Sequence, residues 1–372
     1  MNTTINTSIH NIIKRYNAII QCLILIMGLL FCFTSCIDNR SDETEGSGYY
    51  IDLTQVPASL AYDSIIEVPL KLPEDEFIGE FSKILHYKDK FYIFDNKLNR
   101  IWSFDKSGNC SDILCSIGTG PGEYAKIADF DIDNGYLYIL DVIGRKILCF
   151  SSETMSFINS NQTNQPGLCF AVGDSSHIYF ENPINNHDNI KLSLWDYPDG
   201  VNIPILKYKL EDESRAKGKG RTHFWRSGQK ILYYSRFSPT IYILKDTGII
   251  DSIDIVSRHF PTSEQIQHMV NASKMNSPRS SRNDSPVIRD IRDVYITLQW
   301  TSVNIYSTPS ELLFIDNSSG RLGKVESDER FTDCRKSAMG VCGEYFITIK
   351  ENDQNQSLIL YTLCLKEKES IK

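Results

Sequence analysis

"SIGTGPGEYAKIADFDID", Ser116 to Asp133, sets three glycines and a proline within five positions and then alternates apolar with acidic residues. Two readings compete for it: a phosphate-gripping loop, or a turn between strands. A phosphate loop of the G-x-x-x-x-G-K-[ST] type needs a lysine that is absent here, and a dinucleotide fingerprint needs a helix directly afterwards. "AKIADFDID" instead alternates with the period of a strand. Gly118, Gly120 and Gly122 therefore supply backbone angles closed to other residues, and Pro121 stiffens the bend. The stretch is a turn, and it predicts an all-β chain.

The flanking strands repeat. "FYIFDNKLNRIWSF" (Phe91 to Phe104) and "LYILDVIGRKILCF" (Leu137 to Phe150) superpose with a shift of 46 residues. The shift matches Tyr92 with Tyr138, Ile93 with Ile139, Asp95 with Asp141, Ile101 with Ile147 and Phe104 with Phe150. Each unit reads as a strand closing in Asp, a short turn and a second strand, the Asp accepting backbone N–H groups of the turn. Weaker copies begin at Ile178, Ile231, Val294 (with "ELLFID" at Glu311) and Tyr345. Another apolar stretch precedes each unit, as in "FSKILHY" and "IADFDID". Six units of three to four strands have the arithmetic of a β-propeller. A lone blade leaves both faces apolar and wet, and a closed ring covers them.

"YDSIIEVPLKL" (Tyr62 to Leu72) has no unit of its own, so it is assigned as the outer strand of the last blade. The expected fold is an all-β, six-bladed β-propeller over 61–372, its N-terminal strand closing the last blade. From Tyr49 onward 324 residues remain, 54 per blade for six. Seven blades stay open only if the stretch before Val294 hides another. That stretch, about 258–288, carries a helical pattern in "PTSEQIQHMVNASKM" and then a polar run, and reads as an insertion between blades four and five.

The N-terminus reads as an export signal over 1–36. Lys14 and Arg15 precede sixteen mostly apolar residues, Ala18 to Phe33, short for a spanning helix of roughly 20. The segment ends in "FTSC" at Cys36, and residues 37–60 begin with an acidic, polar run that reads as a flexible tether. "FTSC" resembles the lipobox of bacterial lipoproteins, with Phe33 where an aliphatic residue is usual. The resemblance implies lipid attachment at Cys36. "GTGPGEY" with "ADFDID" and "LYILD…ILCF", behind that lipobox, resembles the six-bladed β-propeller lipoproteins of Bacteroidota, relatives of NHL-repeat propellers. It implies fold, export and a lipid anchor, in the outer membrane facing the periplasm or the cell surface, and it carries over no catalytic residues.

Beyond the first 35 residues the chain holds 37 basic and 47 acidic groups, a net of −10, which argues against nucleic acid. Seven cysteines follow Cys36 without a CxxC pair, and His259 and His268 stand nine apart, so no metal or other cofactor is expected. Counting twelve residues back from Asp95, Asp141, Glu181, Ser235 and Thr348 gives Lys83, Asp129, Cys169, His223 and Lys336. Innermost propeller strands converge on a central channel, so Lys83, Asp129, His223 and Lys336 are read as a charged rim. Trp225 and Arg226 of "THFWRSG" join it as candidate ligand contacts. The reading is a membrane-anchored module that binds or scaffolds a peptide, glycan or protein. The alternative is a lyase or hydrolase with its site at the channel.

Overall fold

The computed structural model describes residues 50–163, 167, 169–173, 177–182, 188–196, 200–208, 223–227, 230–234, 240–245, 248–256, 290–297, 299–306, 311–325, 331, 334, 338–351 and 355–366. The signal segment with Cys36 and the 258–288 insertion lie outside them.

Two strands precede the first blade, β1 (Tyr50–Asp52) and β2 (Ala58–Pro69). Blade one is β3 (Phe81–Tyr87), β4 (Lys90–Asp95), β5 (Arg100–Asp105) and β6 (Cys110–Leu114). Blade two is β7 (Ile127–Asp133), β8 (Tyr136–Asp141), β9 (Lys146–Ser151) and β10 (Phe157–Gln162). Blade three is β11 (Cys169–Val172), β12 (His177–Glu181), β13 (Ile190–Asp196) and β14 (Val201–Lys207). Blade four is β15 (His223–Ser227), β16 (Lys230–Tyr234), β17 (Thr240–Lys245) and β18 (Gly248–Val256). Blade five is β19 (Asp290–Ile296), β20 (Trp300–Tyr306), β21 (Glu311–Asp316) and β22 (Leu322–Val325). Blade six is β23 (Gly340–Cys342), β24 (Tyr345–Glu351) and β25 (Gln356–Leu365), completed by β2.

Strand β2 closes the last blade, as the sequence predicts. It runs antiparallel to β25 from Leu60 opposite Leu365 to Pro69 opposite Ser357, and parallel to β22 over Ala58–Leu60. Blades five and six thereby share one eight-stranded sheet. The innermost strands touch in sequence around the ring: β3 to β7, β11, β15, β19, β23 and back to β3.

The core follows the same arithmetic. Six buried apolar clusters fill the six blade interfaces, one in each. Between blades one and two, for example, Phe94 and Ile101 meet Phe130 and Leu148. Each fully buried large apolar side chain contributes roughly 1.5–3 kcal/mol, and a blade standing alone would forfeit this on both faces.

The opening stretch is the crossing from β6 to β7. Gly118 N donates to Tyr124 O at 3.0 Å, and Tyr124 N to Ser116 O at 3.0 Å. The Glu123 carboxylate accepts from Gly120 N at 2.8 Å and fills the space where a side chain on residue 118 would stand. Gly122 has φ +77°. Tyr124 is the plug: its side chain is fully buried and its hydroxyl reaches the Leu114 and Asn99 carbonyls at 3.0 and 3.1 Å.

The repeated Asp does what its position suggests. Asp95 accepts from the N–H groups of Gly79, Glu80 and Leu98, and Asp141 from those of Ala125, Lys126, Ile143 and Gly144. Each carboxylate thus ties a hairpin turn to the segment entering the same blade.

Three readings need correction. The tether over 37–60 ends earlier, because Tyr50–Asp52 pairs in parallel with β18 as a fifth strand of blade four and Ile51 is buried there. In blade five, Val294–Ile296 of "VYITLQW" belong to the innermost strand and the next strand is Trp300–Tyr306, so the unit starts one strand later than the repeat suggested. In blade three the residue after β12, Asn182, occupies the place of Asp95, not Glu181: His177 opposite Asp196 matches Lys90 opposite Asp105.

Candidate functional site

Three aspartates, Asp129, Asp131 and Asp133, recur every second residue of β7 and so share one face of the strand. The strand lies on the inner edge of blade two, where N–H groups that no partner strand takes would otherwise be left over. Asp129 Oδ2 accepts from Phe170 N at 3.1 Å, and Asp131 Oδ2 from Val172 N at 2.8 Å, both on the inner strand β11 of the next blade. From the other side Lys83 donates to Asp129 Oδ1 at 2.8 Å and to Phe130 O at 2.6 Å. Its ammonium also stands 5.4 Å from the Phe130 ring centre. From blade four, Arg226 reaches Asp131 at 3.3 Å, Asp133 at 3.4 Å and the Val172 carbonyl. A belt of charged hydrogen bonds thus runs across the inner strands of blades one to four. Such bonds are among the stronger polar contacts, because an ionised partner is involved.

Beside the belt a cavity of about 100 Å³ occupies the middle of the ring. Each inner strand contributes one residue at the same register: Leu85, Asp131, Ala171, Trp225, Tyr295 and Gly340. Gly340 must be small, since a β-carbon there would lie 2.8 Å from the Ile84 carbonyl across the seam of blades six and one. Trp225 and Tyr295 rings stand 6.4 Å apart. Trp225 Nε1 and Arg226 Nε are buried with no hydrogen-bond partner among the described residues. His86 also lines the cavity, and burial lowers its pKa below the ordinary 6.5 against an opposing pull from Asp89.

Of the candidate rim, the structure brings Lys83 and Asp129 together and sets Arg226 on the same belt. Trp225 packs in the cluster between blades four and five while one side of it faces the cavity. His223 sits at the register of Lys83, opposite Tyr234, and its side chain lies outside the described residues. Lys336 lies outside them too. Cys342 opposite Tyr345 corresponds to Tyr87 opposite Lys90, so Ala338, not Lys336, matches Lys83 in blade six. Cys169 takes the same position in blade three, buried, with its thiol 3.4 Å from Glu181 and its pKa pushed up by that burial. Sequence reasoning missed Asp131, Asp133 and Tyr295. The i, i+2, i+4 aspartates of "ADFDID" were the visible signal for the first two. Among the described residues no three His, Cys, Asp or Glu side chains gather as a metal site would require.

A family model described as a 6-bladed β-propeller matches residues 39–348. A Bacteroides fragilis protein described as exported is similar in structure, with TM-score 0.66, 15% identity, and coverage of 86% of this chain and 100% of that one. A Bacteroides vulgatus protein of another family follows at TM-score 0.55 and 11% identity, covering 83% of this chain and 99% of its own. Comparison with curated proteins finds no significant match.

Proposed function

Since the chain belongs to this family of six-bladed β-propellers, we propose that it works outside the cytoplasm as a lipid-anchored binding or scaffolding module. It holds a peptide, glycan or protein partner at the mouth of its channel, in the outer membrane at the periplasmic or surface face. The observation that carries this reading is the belt. Lys83, Asp129, Asp131 and Arg226 join the blades beside the channel, which leaves a preformed cavity walled by Trp225, Tyr295 and Leu85. A preformed mouth loses little conformational freedom on binding, which favours recognition. At about 100 Å³ it accommodates one side chain or one small group of a larger partner. The export signal and the exported Bacteroides fragilis relative support the address, and "FTSC" supports the anchor.

The test uses the full chain, extracted in detergent and offered to peptide and glycan arrays. Binding to at least one class is expected, weakened tenfold or more by Tyr295→Ala. Binding that ignores the substitution would remove the partner from the channel mouth. In cells, Cys36→Ala is expected to move the chain from the membrane to the soluble fraction, and a variant that stays membrane-bound would refute the lipid anchor.

A further inference from the structure

Superposing the blades by register exposes one exception. The residue at the centre of the third strand, on the face turned to the preceding blade, is Trp102, Leu148, Tyr242, Leu313 and Ile359 in blades one, two, four, five and six. These large side chains fill the wedge between blades. In blade three the same position, opposite Phe180, is Ser193. The wedge between blades two and three accordingly opens into a cavity of about 250 Å³, more than twice that of the channel cavity.

Among the described residues its lining is uncharged and mixed. Phe180 and Trp195 give an aromatic wall, with ring centres 5.8 Å apart and planes inclined by 53°. Thr163, Asn182, Ser193 and Asn202 supply hydroxyl and amide groups. Asn182 and Ser193 are each 1% exposed, and Asn182 Nδ2 donates to Ser193 Oγ at 3.0 Å. That bond fixes the amide and leaves Asn182 Oδ1 as a buried acceptor with no partner among the described residues. An unmet buried acceptor is destabilising, so the site is shaped for a donor arriving from outside the fold.

We infer that this wedge is a binding site for a neutral sugar ring. A pyranose presents hydroxyl donors to Asn182 Oδ1 and Ser193 and acceptors to Asn202, and it lays its C–H face against Trp195. A carboxylate or phosphate ligand would enter without a counter-charge, at a large desolvation cost. The ring is either a free monosaccharide or one residue of a glycan, which have the same chemistry. The site lies apart from the channel, and the inference stands whether or not the channel binds a partner.

The experiment is saturation-transfer NMR on the full chain with a panel of neutral pyranoses, the oligosaccharides that contain them, and nucleosides as aromatic controls. Transfer to at least one sugar is expected, reduced tenfold or more by Ser193→Leu, which installs the side chain that blade two carries at this position. Asn202→Ala, at an exposed residue that leaves the core intact, is expected to weaken binding several-fold. Signal from monosaccharides identifies a free-sugar site, and signal from oligosaccharides alone a glycan site. No transfer to any sugar, transfer to nucleosides alone, or sugar binding indifferent to both Ser193→Leu and Asn202→Ala would overturn the inference.

Discussion

Replacing Asp141 with alanine is expected to lower folding stability by about 3–5 kcal/mol, the upper range for a single residue. The carboxylate is 1% exposed and accepts four backbone N–H groups, at 2.9 Å from Ala125, 3.1 Å from Lys126, 3.2 Å from Ile143 and 2.9 Å from Gly144. A hydrogen bond to an ionised group contributes about 1.5–3 kcal/mol, and a donor left buried without one costs a similar amount. The four terms do not add in full, because water reaches the partly exposed donors once the side chain is gone. Asp141→Asn is expected to fall between the two, since one of its faces becomes a donor directed at the Ala125 N–H. Urea denaturation reads the result as a lower midpoint at unchanged slope. Asp95 has the same role in blade one and the same expected effect, whereas Asp105 caps an exposed turn and is expected to matter far less. A loss below 1 kcal/mol for Asp141→Ala would show that the repeated aspartate does not hold hairpin and entry segment together.

Removing the chain up to Pro69 is expected to abolish cooperative unfolding altogether. The cut takes away β2, which gives blade six its outer strand and reaches blade five through β22. It uncovers the apolar partners of Leu60 and Val68 and leaves β25 with an unpaired edge. Among the described residues, blades six and one would then keep side-chain contacts, the inner-strand seam at Gly340, and the short link in which Leu70 N donates to Gln356 O and Lys71 N to Gly108 O. Thermal melting followed by near-ultraviolet circular dichroism is expected to lose its sharp transition, and a synthetic peptide of residues 58–69 to restore it with increasing concentration. A truncated chain that melts as sharply as the full one would mean that the ring closes by other means.

Much of this architecture is legible in the sequence, and the failures have a physical pattern. Blades one and two announce themselves because alternation, the closing Asp and the turn length all agree locally. The sequence repeat sets blade six two residues out of register, which yields Lys336 as a rim candidate. A slip of one residue would have turned every side chain to the wrong face, but a slip of two leaves each on its own face and so escapes a period-two pattern. In blade five the similarity of "VYI" to "FYI" drew the repeat onto the inner strand, while "WTSVNIY" is too polar to stand out. Strand β1 has three residues and pairs with a strand some two hundred positions away, so no local signal exists for it. The belt was half legible: the aspartate spacing is in the sequence, but its acceptor role depends on N–H groups supplied by the next blade. The Ser193 exception becomes visible only once all six registers are known, since a lone serine in "IKLSLWD" looks unremarkable by itself.

Closure of the ring by the N-terminal strand supports every other statement about channel and wedge. It can be tested with one added thiol. Ala61 on β2 is the register partner of Cys364 on β25, 303 residues away, and the Cys364 sulfur lies 3.8 Å from the Ala61 carbonyl oxygen. Mild oxidation of the Ala61→Cys variant, followed by mass spectrometry of the linked peptides, is expected to show an intrachain disulfide between positions 61 and 364 in monomeric protein. A thiol at 61 that stays free, pairs with Cys334 or Cys342 instead, or joins two chains would contradict the closed ring.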